Sequence, residues 1–185
     1  MTENQLNGAT LVTIAEGKAK KAHAGLKDKA KRDYYQWHLL PIATGITEIN
    51  ASPEAIAAAW LHDIIEDTKT TAEDLLAAGF PPRVVAAVVS VTRRKNEKGV
   101  KEDYFDMIDR AAGDDLGRFV KLADNAWNIV CNPGLKKTDP ETAKTKLRRY
   151  EKARISLLTA CGLTLDSPQY VAMQNKMENV LSHEQ

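Results

Sequence analysis

Cysteine, histidine and aromatic residues are all scarce in this 185-residue chain, which holds two cysteines, four histidines and 6% Phe, Trp and Tyr. Cys131 and Cys161 lie far apart and form neither a disulfide framework nor a thiolate zinc motif. They read as reduced, partly buried thiols. An excess of one charge is missing too, because 26 Lys and Arg against 25 Asp and Glu leave a net charge of +1. No global field therefore draws the chain to nucleic acid or to a membrane surface, and any anionic ligand has to be recognised locally. The longest apolar runs, around Ala55 to Leu61 and Val84 to Val89, fall far short of the roughly 20 residues that span a bilayer. The start, Met1-Thr-Glu-Asn-Gln, has neither the basic nor the apolar region of a secretory signal. These absences describe a cytoplasmic, soluble protein with no nucleic-acid or membrane partner.

Alternating apolar and polar runs of strand length are absent as well, and nearly every segment has helical spacing. The expected fold class is all-α, a single helical domain over 1–185 with its core at about 10–162 and a C-terminal helical segment at 167–182. The first helix runs from Leu11 to Ala24, with Gly25 as its C-cap. A second spans Tyr34 to Glu48. Ser52-Pro53 is an N-cap followed by proline at the first helical position, which starts a third. Thr71-x-x-Asp74 is a capping-box variant for a short helix that stops at Gly79, and Pro81-Pro82 opens another through Val91. Arg93 to Lys101 is polar and basic, and Arg93, Arg94 and Lys95 read as a solvated loop. Further helices follow from Glu102 to Ala112, from Leu116 to Val130 with Asn132-Pro133-Gly134 closing it, and from Pro140 to Cys161. The last of these carries Lys144, Lys146, Arg148, Arg149 and Tyr150 on exposed faces. Trp37, Trp60 and Trp127 are assigned to the core.

Against this plain background the stretch Ala57 to Asp67 stands out, since it sets His62, Asp63, Glu66 and Asp67 within six residues of an apolar helix. Residues three and four apart share a helix face, so Glu66 is expected over His62 and Asp63, and Asp67 over Asp63. A stripe of acids this dense calls for a cation. Acids near a helix end are usually solvated, and a lone His-Asp pair is common by chance, so the case rests on partners elsewhere. His38 stands one helix earlier, and Asp124 stands on a later helix whose other face is apolar. Two imidazoles and two carboxylates suit Mn, Fe or Zn better than Ca or Mg, and four protein ligands leave room for water. His183 reads as a solvated tail residue and His23 as a surface or capping histidine near the same cleft.

The residues that carry a family resemblance are Ala22-His-Ala-Gly25, Tyr35-x-x-His38, Leu61-His-Asp-Ile-Ile-Glu-Asp-Thr68 with Thr71-x-x-Asp-Leu75, Val91-Thr92, and Val120-Lys-Leu-Ala-Asp-Asn-Ala-Trp-Asn128. In this order they resemble the HD-domain metal-dependent phosphohydrolases, in particular the RelA/SpoT hydrolase domain and the small alarmone hydrolases. The resemblance implies that His38, His62, Asp63 and Asp124 ligate Mn²⁺, and that Glu66 and Asp67 orient or deprotonate the attacking water. It implies a small-molecule nucleotide substrate, with Asn128 and Tyr35 lining its pocket and Lys27, Lys29, Lys146 and Tyr150 near its phosphates and nucleotide. The activity it implies is removal of the 3′-pyrophosphate from guanosine tetra- or pentaphosphate, by a chain too short for a synthetase region. The sequence departs from the family at Leu39, where relatives often carry proline, and at Lys29-Ala-Lys-Arg-Asp-Tyr34, where many carry a Gly-x-Pro-Tyr turn. A substrate-facing loop of different shape is the consequence. Two other readings stay open at this point: the same chemistry on another phosphorylated nucleotide or cofactor, and a non-catalytic nucleotide-sensing module.

Overall fold

A computed structural model describes residues 7–49 and 51–182; His183 lies outside them. Among the described residues the fold is all-α, and the only extended pairings are two isolated antiparallel bridges, Lys27 with Asp33 and Lys95 with Lys101. No helix among them is long and apolar enough to cross a membrane.

Helix α1 (Gly8–Ala22) begins where the Asn7 side chain accepts the Ala9 N–H, at 3.0 Å. It ends two residues before the expected Ala24, because the backbone N–H and the Nδ1 of His23 both go to the Ala19 carbonyl. Gly25, at φ 81°, then reverses the chain. The expected second helix is continuous in space but changes pitch twice. It opens as a π-turn (Tyr35–Leu39), tightens into α2 (Leu40–Gly45) and ends as a 3-10 turn (Ile46–Ile49).

Helix α3 (Pro53–Leu61) starts at Ser52, whose hydroxyl accepts the Ala55 N–H at 3.2 Å. Its buried Ala57, Ala58 and Ala59 give a flat surface on which α1 packs closely. Ser52→Ala should lower the unfolding free energy by about 1 kcal/mol, the usual cost of a lost N-cap. Urea unfolding at neutral pH measures it, and an unchanged midpoint would refute the cap's contribution.

The helix does not continue through the His-Asp doublet as expected. It stops at Leu61, the chain turns at His62 and Asp63, and a one-turn helix α4 (Ile64–Asp67) resumes. Beyond it lie α5 (Ala72–Ala77), capped by the Thr71 and Asp74 box, and α6 (Pro82–Val91). Helix α7 (Tyr104–Gly113) follows the basic loop. Helix α8 (Gly117–Thr138) runs straight through Pro133, where a stop was expected. Proline removes one backbone donor and crowds the preceding turn. The long seam with α9 (Pro140–Ala160) outweighs that local cost, and Asn132 Nδ2 donates across it to the Ala143 carbonyl at 3.0 Å.

Helix α10 (Pro168–Ser182) covers α2 and the 3-10 turn, burying Met173 and Met177. Gly45 lies directly under Met177, whose terminal methyl a side chain there would displace. Leu39, Ile42, Ile46, Leu61, Ile64, Leu122 and Trp127 form the middle of the core, and three of these immediately flank His38 and the His62-Asp63 turn. Trp60 and Trp127 are core residues as expected, whereas Trp37 is half-buried under Arg32. Cys131 and Cys161 are half-buried.

Candidate metal centre

Three elements converge on one point under the α1 to α2 connection. The π-turn supplies His38, the turn between α3 and α4 supplies His62 and Asp63, and α8 supplies Asp124. The Nε2 atoms of His38 and His62 lie 3.3 Å apart, and Asp63 Oδ2 stands 3.0 Å from the first and 2.9 Å from the second. Asp124 Oδ1 is 3.8 Å from His38 Nε2. One ligand atom from each of His38, His62 and Asp124 falls within 4.8 Å of the others. His62 is 3% exposed and Asp124 7%. The Ala59 carbonyl accepts from His62 Nδ1 at 2.8 Å, which fixes the ring and turns Nε2 inward.

The electrostatics are those of a cation site. Burial opposes a charge on His62, but Asp63 and Asp124 overcome it and raise its pKa to about 9. Burial likewise opposes ionisation of Asp63, yet His62 and His38 hold its carboxyl well below the ordinary value. Asp124 is lowered as well, against burial, chiefly by Lys121 and then by His62 and His38. Lys121 Nζ bonds Asp124 Oδ2 at 2.7 Å, and Asp124 raises that lysine's pKa above its ordinary value despite burial. Two inward imidazole nitrogens at contact distance, with a shared carboxylate and a second one behind them, form a donor set that fits a divalent ion of borderline softness.

The acidic pair divides. Glu66 directs its carboxylate to the basic loop rather than to the doublet. Its Oε2 accepts the Arg93 N–H at 3.2 Å and its Oε1 pairs with Lys101 Nζ at 2.7 Å. Asp67 stays with the centre: burial, Asp63 and Glu66 raise its pKa, while a hydrogen bond from Tyr34 and the His23 ring act the other way. Asn128 Nδ2 donates to the backbone oxygen of Asp124 at 2.8 Å and to Oδ1 at 2.6 Å.

Tyr35, expected in the substrate pocket, points elsewhere. Its hydroxyl donates to Glu16 at 2.5 Å, its ring stacks on Trp60, and Lys20 lies over it. Tyr34 enters the site instead, and its hydroxyl donates to Asp63 Oδ2 at 2.6 Å. Tyr150 is buried and packs edge-on to Tyr104, so it is not on an exposed face of α9. Lys27 and Lys29 are exposed on the loop after α1. Lys146 sits beside a shallow cavity of about 330 Å³ that Arg149, Thr142, Thr145 and Glu141 also line. Partial burial, Lys29 and Arg149 press its pKa down to about 8. Sequence reasoning missed Arg149, whose guanidinium lies 4.3 Å from the Tyr104 ring centre, and also Lys121 and Tyr34. The Lys-x-x-Asp spacing of Lys121 and Asp124 on one helix face was a usable signal for the first of these two.

The family model described as HD domain matches residues 15–125. The chain belongs to the HD domain family. HD domains carry divalent-metal hydrolase chemistry, and the His38, His62 and Asp124 group is a possible metal site within the matched region. Among its relatives is a guanosine-3′,5′-bis(diphosphate) 3′-pyrophosphohydrolase of Aquifex aeolicus, 34% identical over 114 residues, covering 60% of this chain and 16% of that protein. The Haemophilus influenzae protein of the same name is 31% identical over 117 residues, covering 60% and 17%. A GTP pyrophosphokinase of Streptomyces coelicolor is 32% identical over 127 residues, covering 66% and 15%. The matches thus span about a sixth of the length of these curated relatives. Among solved structures, a metazoan ortholog of SpoT reported to hydrolyse ppGpp superposes with a TM-score of 0.61 at 18% identity, covering 100% of this HD domain chain and 98% of the other. At that identity the likeness shows the shared fold.

Proposed function

We propose that this HD domain is a cytoplasmic, Mn²⁺-dependent 3′-pyrophosphohydrolase of guanosine tetra- or pentaphosphate, yielding GDP or GTP and pyrophosphate. The observation that carries the reading is the convergence of His38, His62, Asp63 and Asp124 with a raised-pKa carboxylate, Asp67, at their edge. The printed activities of the Aquifex aeolicus and Haemophilus influenzae relatives support the choice of substrate.

In this reading His38, His62, Asp63 and Asp124 hold the cation, which supplies Lewis-acid polarisation of the 3′ phosphate and lowers the pKa of water. Asp67 accepts the proton of the attacking water, a task suited to a carboxylate whose pKa is raised above its ordinary value. Lys121 keeps Asp124 ionised and in place. Asn128 braces the same carboxylate. Lys29, Lys146 and Arg149 crowd like charges together near a shallow cavity, an arrangement that a polyphosphate relieves. Tyr104 connects that cavity to the centre: Arg149 covers its ring, and its phenol, raised by burial, feels both Lys121 and Asp124. Glu66 ties the basic loop to the edge of the site through Arg93 and Lys101.

The test is release of pyrophosphate from guanosine tetraphosphate by purified protein, with Mn²⁺ and with chelator, beside a panel of other phosphorylated nucleotides. Mn²⁺-dependent release confined to guanosine polyphosphates is the expected result. Release from a different nucleotide would keep the centre and overturn the substrate. Tight nucleotide binding without turnover in Mn²⁺ would overturn the enzyme reading in favour of a sensor.

A further inference from the structure

Tyr34 occupies a place that neither its sequence neighbourhood nor the metal ligands account for. The segment before His38 carries two adjacent tyrosines, and it is Tyr34, just before the π-turn, that enters the site. A π-turn accommodates one more residue than an α-turn and typically marks a functional position. Here Tyr35 points outward to Glu16 and Trp60 and Tyr34 faces inward. The Tyr34 ring is clamped on both sides. It stacks on His23 at 5.5 Å with the planes 17° apart, and it meets His38 at 4.8 Å. His23 is itself fixed, 1% exposed with Nδ1 donating to Ala19. The phenol therefore has little freedom, and its hydroxyl is aimed at two carboxylates, Asp63 and Asp67.

We propose that Tyr34 is a positioning residue that holds Asp63 in its ligating orientation and keeps Asp67 beside it. The inference rests on the metal reading of the site. Asp63 Oδ2 receives three partners, the Nε2 atoms of His38 and His62 and the Tyr34 hydroxyl. To bind a cation both Nε2 atoms have to give up their bond to Asp63, His62 by losing its Nε2 proton while Nδ1 stays on the Ala59 carbonyl. Tyr34 has no such second duty, so its bond is the one that survives loading and fixes the carboxylate. Hydrogen bonds of this kind to a ligating carboxylate orient it and tune affinity. The hydroxyl's single proton goes to Asp63, and Asp67 lies close enough to interact with both groups. Without that donor the two carboxylates repel, and Asp67 moves off the line of attack.

Tyr34→Phe keeps the ring that packs between His23 and His38 and removes only the hydroxyl, while Tyr35→Phe removes the hydroxyl outside the site. Mn²⁺ affinity is measured by electron paramagnetic resonance titration of both variants and the wild type, followed by kcat and KM at saturating Mn²⁺. Tyr34→Phe should weaken Mn²⁺ about tenfold, the lower end of the effect for groups that orient metal ligands. It should also lower kcat with KM unchanged, whereas Tyr35→Phe stays within about twofold of wild type on both counts. A Tyr34→Phe protein that binds Mn²⁺ as the wild type does, or a Tyr35→Phe protein that loses as much, overturns the assignment. A wild type that binds no divalent cation overturns the metal reading and this inference together, so the two failures are told apart by the wild-type titration alone.

Discussion

Asp67→Asn should bind Mn²⁺ and substrate as the wild type does and lose between about 100- and 10,000-fold in kcat, the range expected for removal of a general base. The substitution keeps the shape and the acceptor for Tyr34 and deletes only the ability to take a proton. The argument for Asp67 over its neighbour is environmental. Burial, Asp63 and Glu66 push its pKa up, which makes its carboxylate a better proton acceptor than an ordinary one. Glu66 sits in a different setting, satisfied by the Arg93 N–H and by Lys101. Glu66→Gln retains the first bond and loses an ion pair that is largely solvated, an interaction of at most about 1 kcal/mol. Its effect should therefore be less than about tenfold and should appear in KM, through the basic loop. Single-turnover kinetics at saturating Mn²⁺ separates the two variants. Full activity in Asp67→Asn, or a larger loss in Glu66→Gln, would exchange the roles.

This division was not legible in the sequence, although the four candidate ligands were. His62 and Asp63 are adjacent, and His38 and Asp124 stand on flanking helices next to apolar residues, so residue type and spacing suffice to single them out. Helix-face spacing puts Glu66 over the doublet, whereas its carboxylate is held by the Arg93 N–H and by Lys101. Nothing local forbids a continuous helix at His62 and Asp63. The turn is paired with contacts from distant residues: Tyr34 reaches Asp63 from 29 residues away, and Glu66 meets the loop before α7. The same reason hid the π-turn and the passage of α8 through Pro133. Both run against local preference and depend on packing that only the assembled fold supplies. Tyr34 and Tyr35 are chemically identical and stand four and three residues before His38, so spacing alone does not choose between them, and the contacts with Asp63, Glu16 and Trp60 do. Caps and breakers were legible at Ser52, at Thr71 with Asp74, and at Pro82, because a short side chain or a ring closure acts within one turn.

Asp63→Ala should abolish Mn²⁺ binding and turnover together, and it should also erase a pH dependence of stability that belongs to the metal-free protein. The imidazole of His62 titrates near 6.5 without its surroundings and at about 9 in the fold, where Asp63 is the strongest influence holding the proton against burial. A folded pKa above the unfolded one means that the group's contribution is fully present below about 6.5 and is lost as pH rises through about 9. Asp63 shifts the opposite way, so its contribution is present above 3.8 and is lost as pH falls through its lower folded value. Between these limits the pair stabilises the empty site, and a cation must displace the His62 proton to bind. Mn²⁺ affinity of the wild type should consequently rise about tenfold per pH unit up to about 9 and then level off, since one proton leaves for each ion bound. In Asp63→Ala the carboxylate that raises the His62 pKa is gone, so its urea midpoint in chelator should change little between pH 6.5 and 9 while that of the wild type falls. A variant that binds Mn²⁺ with wild-type affinity removes Asp63 from the ligand set. A wild-type protein whose chelator-treated stability is flat over the same interval removes the proton that Asp63 is held to keep on His62.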